Sequence, residues 1–453
     1  MKYERQPVSN SVRRFAAAAT LAWVACMPLV TRDAVHSAEA VPGVSSDMSH
    51  MQIAATLVDI DGLAPYANEP YERAIIEEGM SQIEATTNGK YAAGEISVDT
   101  LRVRPDATEH SKPCVSNDML KSIRDRRRVN RVGGTALTMS IINTTREGAV
   151  CGSSVEQLGS NKYIGARAYQ DQNAPHIDVY YQAPKSETSE SVGGLATAER
   201  KNISTITHEI GHLLTHAGYG RGLSHEQMLA KPGIWAARAA QADGVVKTST
   251  GQVDEYASWA TVEGDGNAQS SNGLLDIYSP PEQMRLDPSL RVDTITNESH
   301  IYRLSDEASG LYGLKIKLST DHPLTKINNT TSLFIGQMKQ RGTDGGLITV
   351  PDGEFSYTTA VWGMSEDASS TTLLTPLSAT TLSVNKWIND GKERSLDGDI
   401  TPIFADDILD MMVYAGTDGS GSYVRVGKLT NFDDSKRLHE YEKLIAERMT
   451  ADS

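Results

Sequence analysis

The stretch Thr207-His208-Glu209-Ile210-Gly211-His212-Leu213-Leu214 constrains this chain more than any other part of it. Read as helix, it sets His208 and His212 one turn apart on the same face, because side chains at i and i+4 lie one above the other. Two imidazoles in that relation can share one metal ion. Glu209 sits about 100° round the helix, where its carboxylate can take a proton from a metal-held water without being a ligand itself. Three fixed residues in five also occur on ordinary amphipathic helices with a polar face, so the context has to come from the rest of the chain.

With 453 residues, 39% of them hydrophobic, the chain has material for two or three domains with real cores. A formal net charge of −15 argues against nucleic acid as a partner and implies solubility. The basic cluster from Lys121 to Arg128 reads as a solvated helix face, with a processing site as the alternative. At the N-terminus, Lys2, Arg5, Arg13 and Arg14 precede the apolar run Phe15 to Val30 and then Ala38-Glu39-Ala40. This order is that of a secretory signal peptide over residues 1–40, with a secreted or extracytoplasmic mature chain beginning near Val41. Cys26, after Val24-Ala25, is the alternative: a lipid-attachment cysteine of a cell-surface lipoprotein. After signal removal nothing is apolar enough to span a membrane. The remaining pair, Cys114 and Cys151, is expected to form a disulfide, stabilising by roughly 3–4 kcal/mol on the loop-entropy argument.

Residues 41–50 read as a flexible lead-in. A buried strand is expected from Ile53 to Ile60, a helix over 68–87 with Ile75, Ile76, Met80 and Ile83 on one face, and a strand from Glu95 to Val103. A second helix fits 115–130, and Ala136 to Ile142 reads as a central strand. Two more strands follow, Lys162 to Tyr169 and His176 to Gln182; the second alternates and is expected at a half-exposed edge. The motif helix is expected over 198–216. The order strand, helix, strand points to an α/β (α+β) domain with a mixed sheet over 51–290. Over 291–433, short alternating runs between turn residues suggest a smaller all-β, sandwich-like domain, and 434–453 reads as a terminal helix. Thr417-Asp418-Gly419-Ser420-Gly421 offers a single carboxylate and reads as a turn in preference to a calcium loop.

Five segments then occur in an informative order: Thr144 to Gly152, Thr207 to His212, Asp254-Glu255-Tyr256, Thr261-Val262-Glu263-Gly264, and Tyr278 to Leu286. The series resembles the metzincin zinc peptidases, with its closest look to the secreted gametolysin and immune-inhibitor-A type. The likeness spans about 50–345 and takes in Ile301 to Leu304 and Ser332 to Gly336. It implies a zincin-like catalytic domain, a Zn²⁺ cofactor held by histidines, Glu209 as general base, and a peptide or protein substrate laid beside an edge strand, here 176–182. Under the same resemblance Cys114 has a second reading, as a pro-segment cysteine blocking the zinc.

The chain departs from that pattern twice. The family's third ligand is a histidine six residues after the second, with a glycine three residues after it; Gly218 and Thr215 stand there instead. His216 can serve if the helix breaks near Thr215, since on a continuous helix His208 and His216 would lie about 12 Å apart along the axis. His225 can serve if Ala217 to Gly222 loop out, because Gly222-Leu223-Ser224-His225 keeps the family's G-x-x-H. Glu226 or Glu255 as a carboxylate ligand is a third choice. Secondly, Glu263 stands where the family has a methionine beneath the zinc. It either adds a carboxylate under the metal or faces solvent in a differently aligned turn. The expected function is a secreted zinc endopeptidase; the alternative is a non-catalytic binding protein on a decayed scaffold.

Overall fold

The computed structural model describes residues 50–129, 137–152, 164–169, 175–182, 197–216, 218–229, 233–242, 253–255, 261–263, 277–298, 300–307, 309–341, 355–375, 401–418 and 421–429. The signal segment, Cys26, all but the last residue of the lead-in and the expected terminal helix lie outside them. Residues Ser46–Ser453 make one compact unit of mixed α/β structure.

Strand β1 (Met51–Ile60) is apolar at seven of its ten positions and buried over most of its length, as befits a strand covered on both faces, and it lies second in a five-stranded sheet. The sheet order is β2 (Ala93–Val103), β1, β5 (Leu137–Ile142), β7 (His176–Tyr181), β6 (Ile164–Tyr169). The small hairpin of β3 (Ala107–Glu109) and β4 (Lys112–Cys114) stands apart from it. All neighbours run parallel except β6, which is antiparallel to β7. Helix α1 (Glu69–Thr86) crosses from β1 to β2; Asn68 caps it by accepting the Tyr71 N–H at 3.0 Å. Its apolar stripe of Ile75, Ile76, Met80 and Ile83 is fully buried. Asn88 and Gly89, both at positive φ, end it. Helix α2 (Asn117–Val129) follows β4, and the Met119 N–H donates to Ser116 Oγ at its start. Helix α3 (Thr197–Gly211) carries the histidine motif and buries Ile203, Ile206 and Ile210 in the same core as α1 and the sheet. Cys114 and Cys151 form a disulfide, beside which the Cys151 N–H donates to Val115 O at 2.9 Å.

The strand at 176–181 is not at the edge. It lies between β5 and β6 and is buried over nearly its whole length. Its alternating polar residues are satisfied inside the protein: His176 Nε2 donates to Asp178 Oδ1 at 2.9 Å, Thr138 Oγ1 lies 2.6 Å from His176 Nδ1, and Asp178 also accepts from Tyr169 and Arg124. Alternation therefore reported a buried polar network, and the edge strand is β6.

Beyond α3 come the short hairpin β8 (Leu214–Thr215) and β9 (Gly218–Tyr219), β10 (Gln227–Leu229), α4 (Ala236–Ala242), β11 (Val253–Glu255) and α5 (Pro280–Leu286). They lead into β12 (Val292–Thr294), β13 (His300–Leu304), β14 (Gly313–Lys317), β15 (Ser332–Arg341), β16 (Phe355–Met364), β17 (Thr371–Leu373), β18 (Thr401–Asp406), β19 (Met411–Asp418) and β20 (Gly421–Gly427). One sheet has the order β11-β10-β17-β16-β15-β14-β12, a second β13-β20-β19-β18. Leu333, Ile335 and Val361 of the first share a core with Phe404, Val413 and Val424 of the second, and Thr359 Oγ1 donates to Ser422 Oγ across the join at 2.8 Å. Helix α5 is pressed onto β15 at Gly336, where a Cβ would come 2.6 Å from Pro280. That close seat brings Arg285, on the last turn of α5, toward the α3 side of the molecule, where Tyr91 Oη donates to both Leu286 O and Thr215 O. Among the described residues no helix is long and apolar enough to cross a membrane.

Candidate metal centre and cleft

Helix α3 ends at Gly211, five residues before 216, because the chain turns back on it. The N–H groups of Gly220, Gly222 and Leu223 donate to the carbonyls of Leu213, His212 and Gly211 at 2.8, 2.9 and 2.9 Å. These carbonyls have no partner within the helix, and the returning loop supplies one for each. The return needs a glycine: a Cβ on residue 222 would stand 2.3 Å from Gly211 O and 2.5 Å from Leu214 O. The residues between form the β8–β9 hairpin, which leaves His216 exposed at its turn. Three residues after Gly222, His225 comes back over the end of the helix.

His208, His212 and His225 thus converge, each offering a ring nitrogen within 4.8 Å of the others. Ring centroids are 4.5 Å apart for His208 and His212, 5.3 Å for His208 and His225, and 4.7 Å for His212 and His225. His208 Nδ1 lies 2.6 Å from Val262 O and His212 Nδ1 lies 2.8 Å from Leu223 O. A carbonyl can only accept, so each Nδ1 carries the proton and each Nε2 is left with a lone pair. Burial, then the neighbouring imidazoles, push His208 well below the usual histidine range; burial lowers His212, and burial followed by His212 brings His225 to about 4. Three neutral imidazoles, two of them with fixed tautomers, make a donor set that could hold a metal ion. Of the proposed ligands, His208, His212 and His225 are brought together, while His216 is not. Glu226 is turned away into the interior, accepting from Thr261 Oγ1 at 2.7 Å and Trp362 Nε1 at 2.8 Å. The Glu255 side chain lies outside the described residues.

Glu209 is 7% exposed and faces the cleft beside the histidines. Burial raises its carboxyl to about 7, against the lowering effect of the Ala168 N–H and of Arg167. Glu263 does not face solvent. It lies beneath the pair on the Nδ1 side, its Oε2 3.3 Å from His212 Nδ1 and 3.6 Å from His208 Nδ1. Burial, then Glu282, Glu209 and Glu226, raise its pKa well above the ordinary glutamate value. Among the described residues neither of its oxygens makes a hydrogen bond, and on that side it does not join the Nε2 donor set.

The cleft above has a volume of about 620 Å³. It is lined by Ala166 to Ala168 of β6, by Glu209 and His212, by Arg221 to His225 of the return loop, and by a wall of Arg285, Asp367 and Ser369. Sequence reasoning missed this wall: Arg285 lay in the Tyr278 to Leu286 segment but was given no role, and Asp367 and Ser369 are far from the motif in sequence and carry no local signal. The chain matches no protein-family model and no curated protein at a significant level.

Proposed function

We propose that the protein is an exported, zinc-dependent endopeptidase with a zincin-like catalytic core of the metzincin kind. One observation carries the reading: three neutral imidazoles converge beside a buried glutamate at the bottom of an open cleft. His208, His212 and His225 would hold the ion, with Val262 O and Leu223 O fixing the first two rings. Bound there, zinc supplies Lewis-acid polarisation of a peptide carbonyl and acidifies water.

The remaining roles fall to the chain's own side chains. Glu209 takes a proton from the attacking water and returns it to the leaving amine, a task suited to a carboxyl whose pKa lies near neutrality. The Ala168 N–H holds that carboxylate against the edge strand. An extended peptide adds to β6, the sheet edge that flanks the cleft, so its backbone is aligned by main-chain hydrogen bonds.

The test compares zinc content and cleavage of an unstructured protein such as casein between the wild type and Glu209→Gln. Zinc near one equivalent in both, with cleavage reduced about 10²–10⁴-fold in the variant, is the expected result. A protein that takes up no zinc and cleaves nothing in a Glu209-dependent way is instead a binding protein on this scaffold.

A further inference from the structure

Among the described residues the charge lining the cleft is opposite to that of the chain. The protein carries a formal −15, yet among these residues three guanidiniums, Arg167, Arg221 and Arg285, line the cleft against two acidic side chains, Glu209 and Asp367. Glu209 is taken up by the reaction. Asp367 lies 3.7 Å from Arg285 Nη1, and its Oδ1 is also held by the Ser369 N–H and Ser365 Oγ, both at 3.0 Å. Arg285 is fixed in turn, donating to Arg221 O at 3.1 Å and to Asp367 O at 3.4 Å. Its guanidinium therefore bridges the loop that carries His225 and the turn between β16 and β17.

Arg221 is exposed, and among the described residues its guanidinium makes no ion pair. It lies on the same side of the cleft as Arg285, whose guanidinium donates to the Arg221 carbonyl at 3.1 Å. Of these two guanidiniums only Arg285 is paired with a carboxylate among the described residues, which leaves the exposed charge of Arg221 over beside it. A planar fork of this kind suits a second carboxylate, bound bidentately. Arg221 and His225 are four residues apart on one loop, hence within about 13 Å at full extension. An extended peptide lying in the cleft covers that distance in about four residues.

We propose that Arg221 and Arg285 make the cleft selective for peptides carrying a carboxylate within about four residues of the scissile bond. The proposal rests on the peptidase reading and deepens it. The carboxylate comes from an Asp or Glu side chain or from a peptide C-terminus, and the two arms of the experiment separate these sources.

The experiment measures kcat/KM of the zinc-loaded full chain on a quenched-fluorescence peptide series. Glu replaces Gln at one position at a time on either side of the bond, and each peptide is made with a free and with an amidated C-terminus. At one position, or at the terminus, the acidic form is expected to be cleaved about tenfold faster. That ratio should collapse toward one in Arg221→Gln, fall to an intermediate value in Arg221→Lys, which keeps the charge but loses the bidentate fork, and rise in Asp367→Asn, which frees Arg285. A ratio near one at every position in the wild type overturns the proposal, as does a ratio unchanged by Arg221→Gln, while Glu209-dependent cleavage leaves the peptidase reading standing. Absence of any Glu209-dependent cleavage removes both.

Discussion

Gly211 has no side chain in a place that Glu263 occupies. A Cβ built on Gly211 would stand 2.0 Å from Glu263 Oε1 and 3.0 Å from the Tyr278 ring and hydroxyl. The motif's central glycine is thus where the helix admits a carboxyl beneath the two histidines. Alanine is the better helix former by about 1 kcal/mol, but this overlap is far inside contact distance and forces Glu263 or the helix to move.

Gly211→Ala is therefore expected to destabilise the metal-free protein by at least about 1–3 kcal/mol, the usual cost of overpacking a core. Shortening the neighbour should recover part of that loss. In a double-mutant cycle read by urea unfolding, Gly211→Ala in a Glu263→Ala background should cost about 1 kcal/mol less than alone. Additive effects would mean that Gly211 is set by Tyr278 and not by Glu263.

The same turn bears on the proposed third ligand. His225→Ala should lose bound zinc on dialysis against a weak chelator, whereas His216→Ala, which alters only an exposed residue at the hairpin turn, should keep about one equivalent. Metal analysis after dialysis reads both. Zinc retained by His225→Ala would exclude the three-histidine site, and zinc lost by both variants would mean that the β8–β9 hairpin itself holds the site together.

What the sequence made legible follows from the range of the interactions involved. His208 and His212 are fixed by helical periodicity alone, and the buried runs of β1 and α1 by local pattern, so these could be read directly. The third ligand depends on how a loop returns, and only the Gly222-x-x-His225 spacing hinted at it. Glu263 was legible as a misfit, but its place under the rings depends on the space left by Gly211. The order of the last two strands in the first sheet was misread. Asp178 and His176 look solvent-facing in sequence, and the partners that satisfy them, Arg124, Thr138 and Tyr169, lie on other elements.

The buried glutamates beneath the centre give the protein a pH dependence opposite to that of paired surface carboxylates. Glu282 accepts the Ser279 N–H at 2.7 Å through one oxygen. Burial, then the charge of Glu226, raise its pKa well above the ordinary value of 4.5. In the unfolded chain the same group titrates near that ordinary value. Below it both states are protonated, and the full contribution of the group to stability is present. As pH rises past it, the unfolded state releases a proton that the folded state retains, so stability falls until the folded pKa is passed, by at most about 1.4 kcal/mol per pH unit for one group. Glu282→Gln keeps an acceptor for Ser279 and cannot ionise. On metal-free protein, the fall in Tm between about pH 5 and about pH 7 should be shallower in Glu282→Gln than in the wild type, with Glu263 supplying what remains. Thermal unfolding followed by circular dichroism across that range measures both slopes. Equal slopes would mean that Glu282 ionises in the folded protein as readily as it does in the unfolded chain.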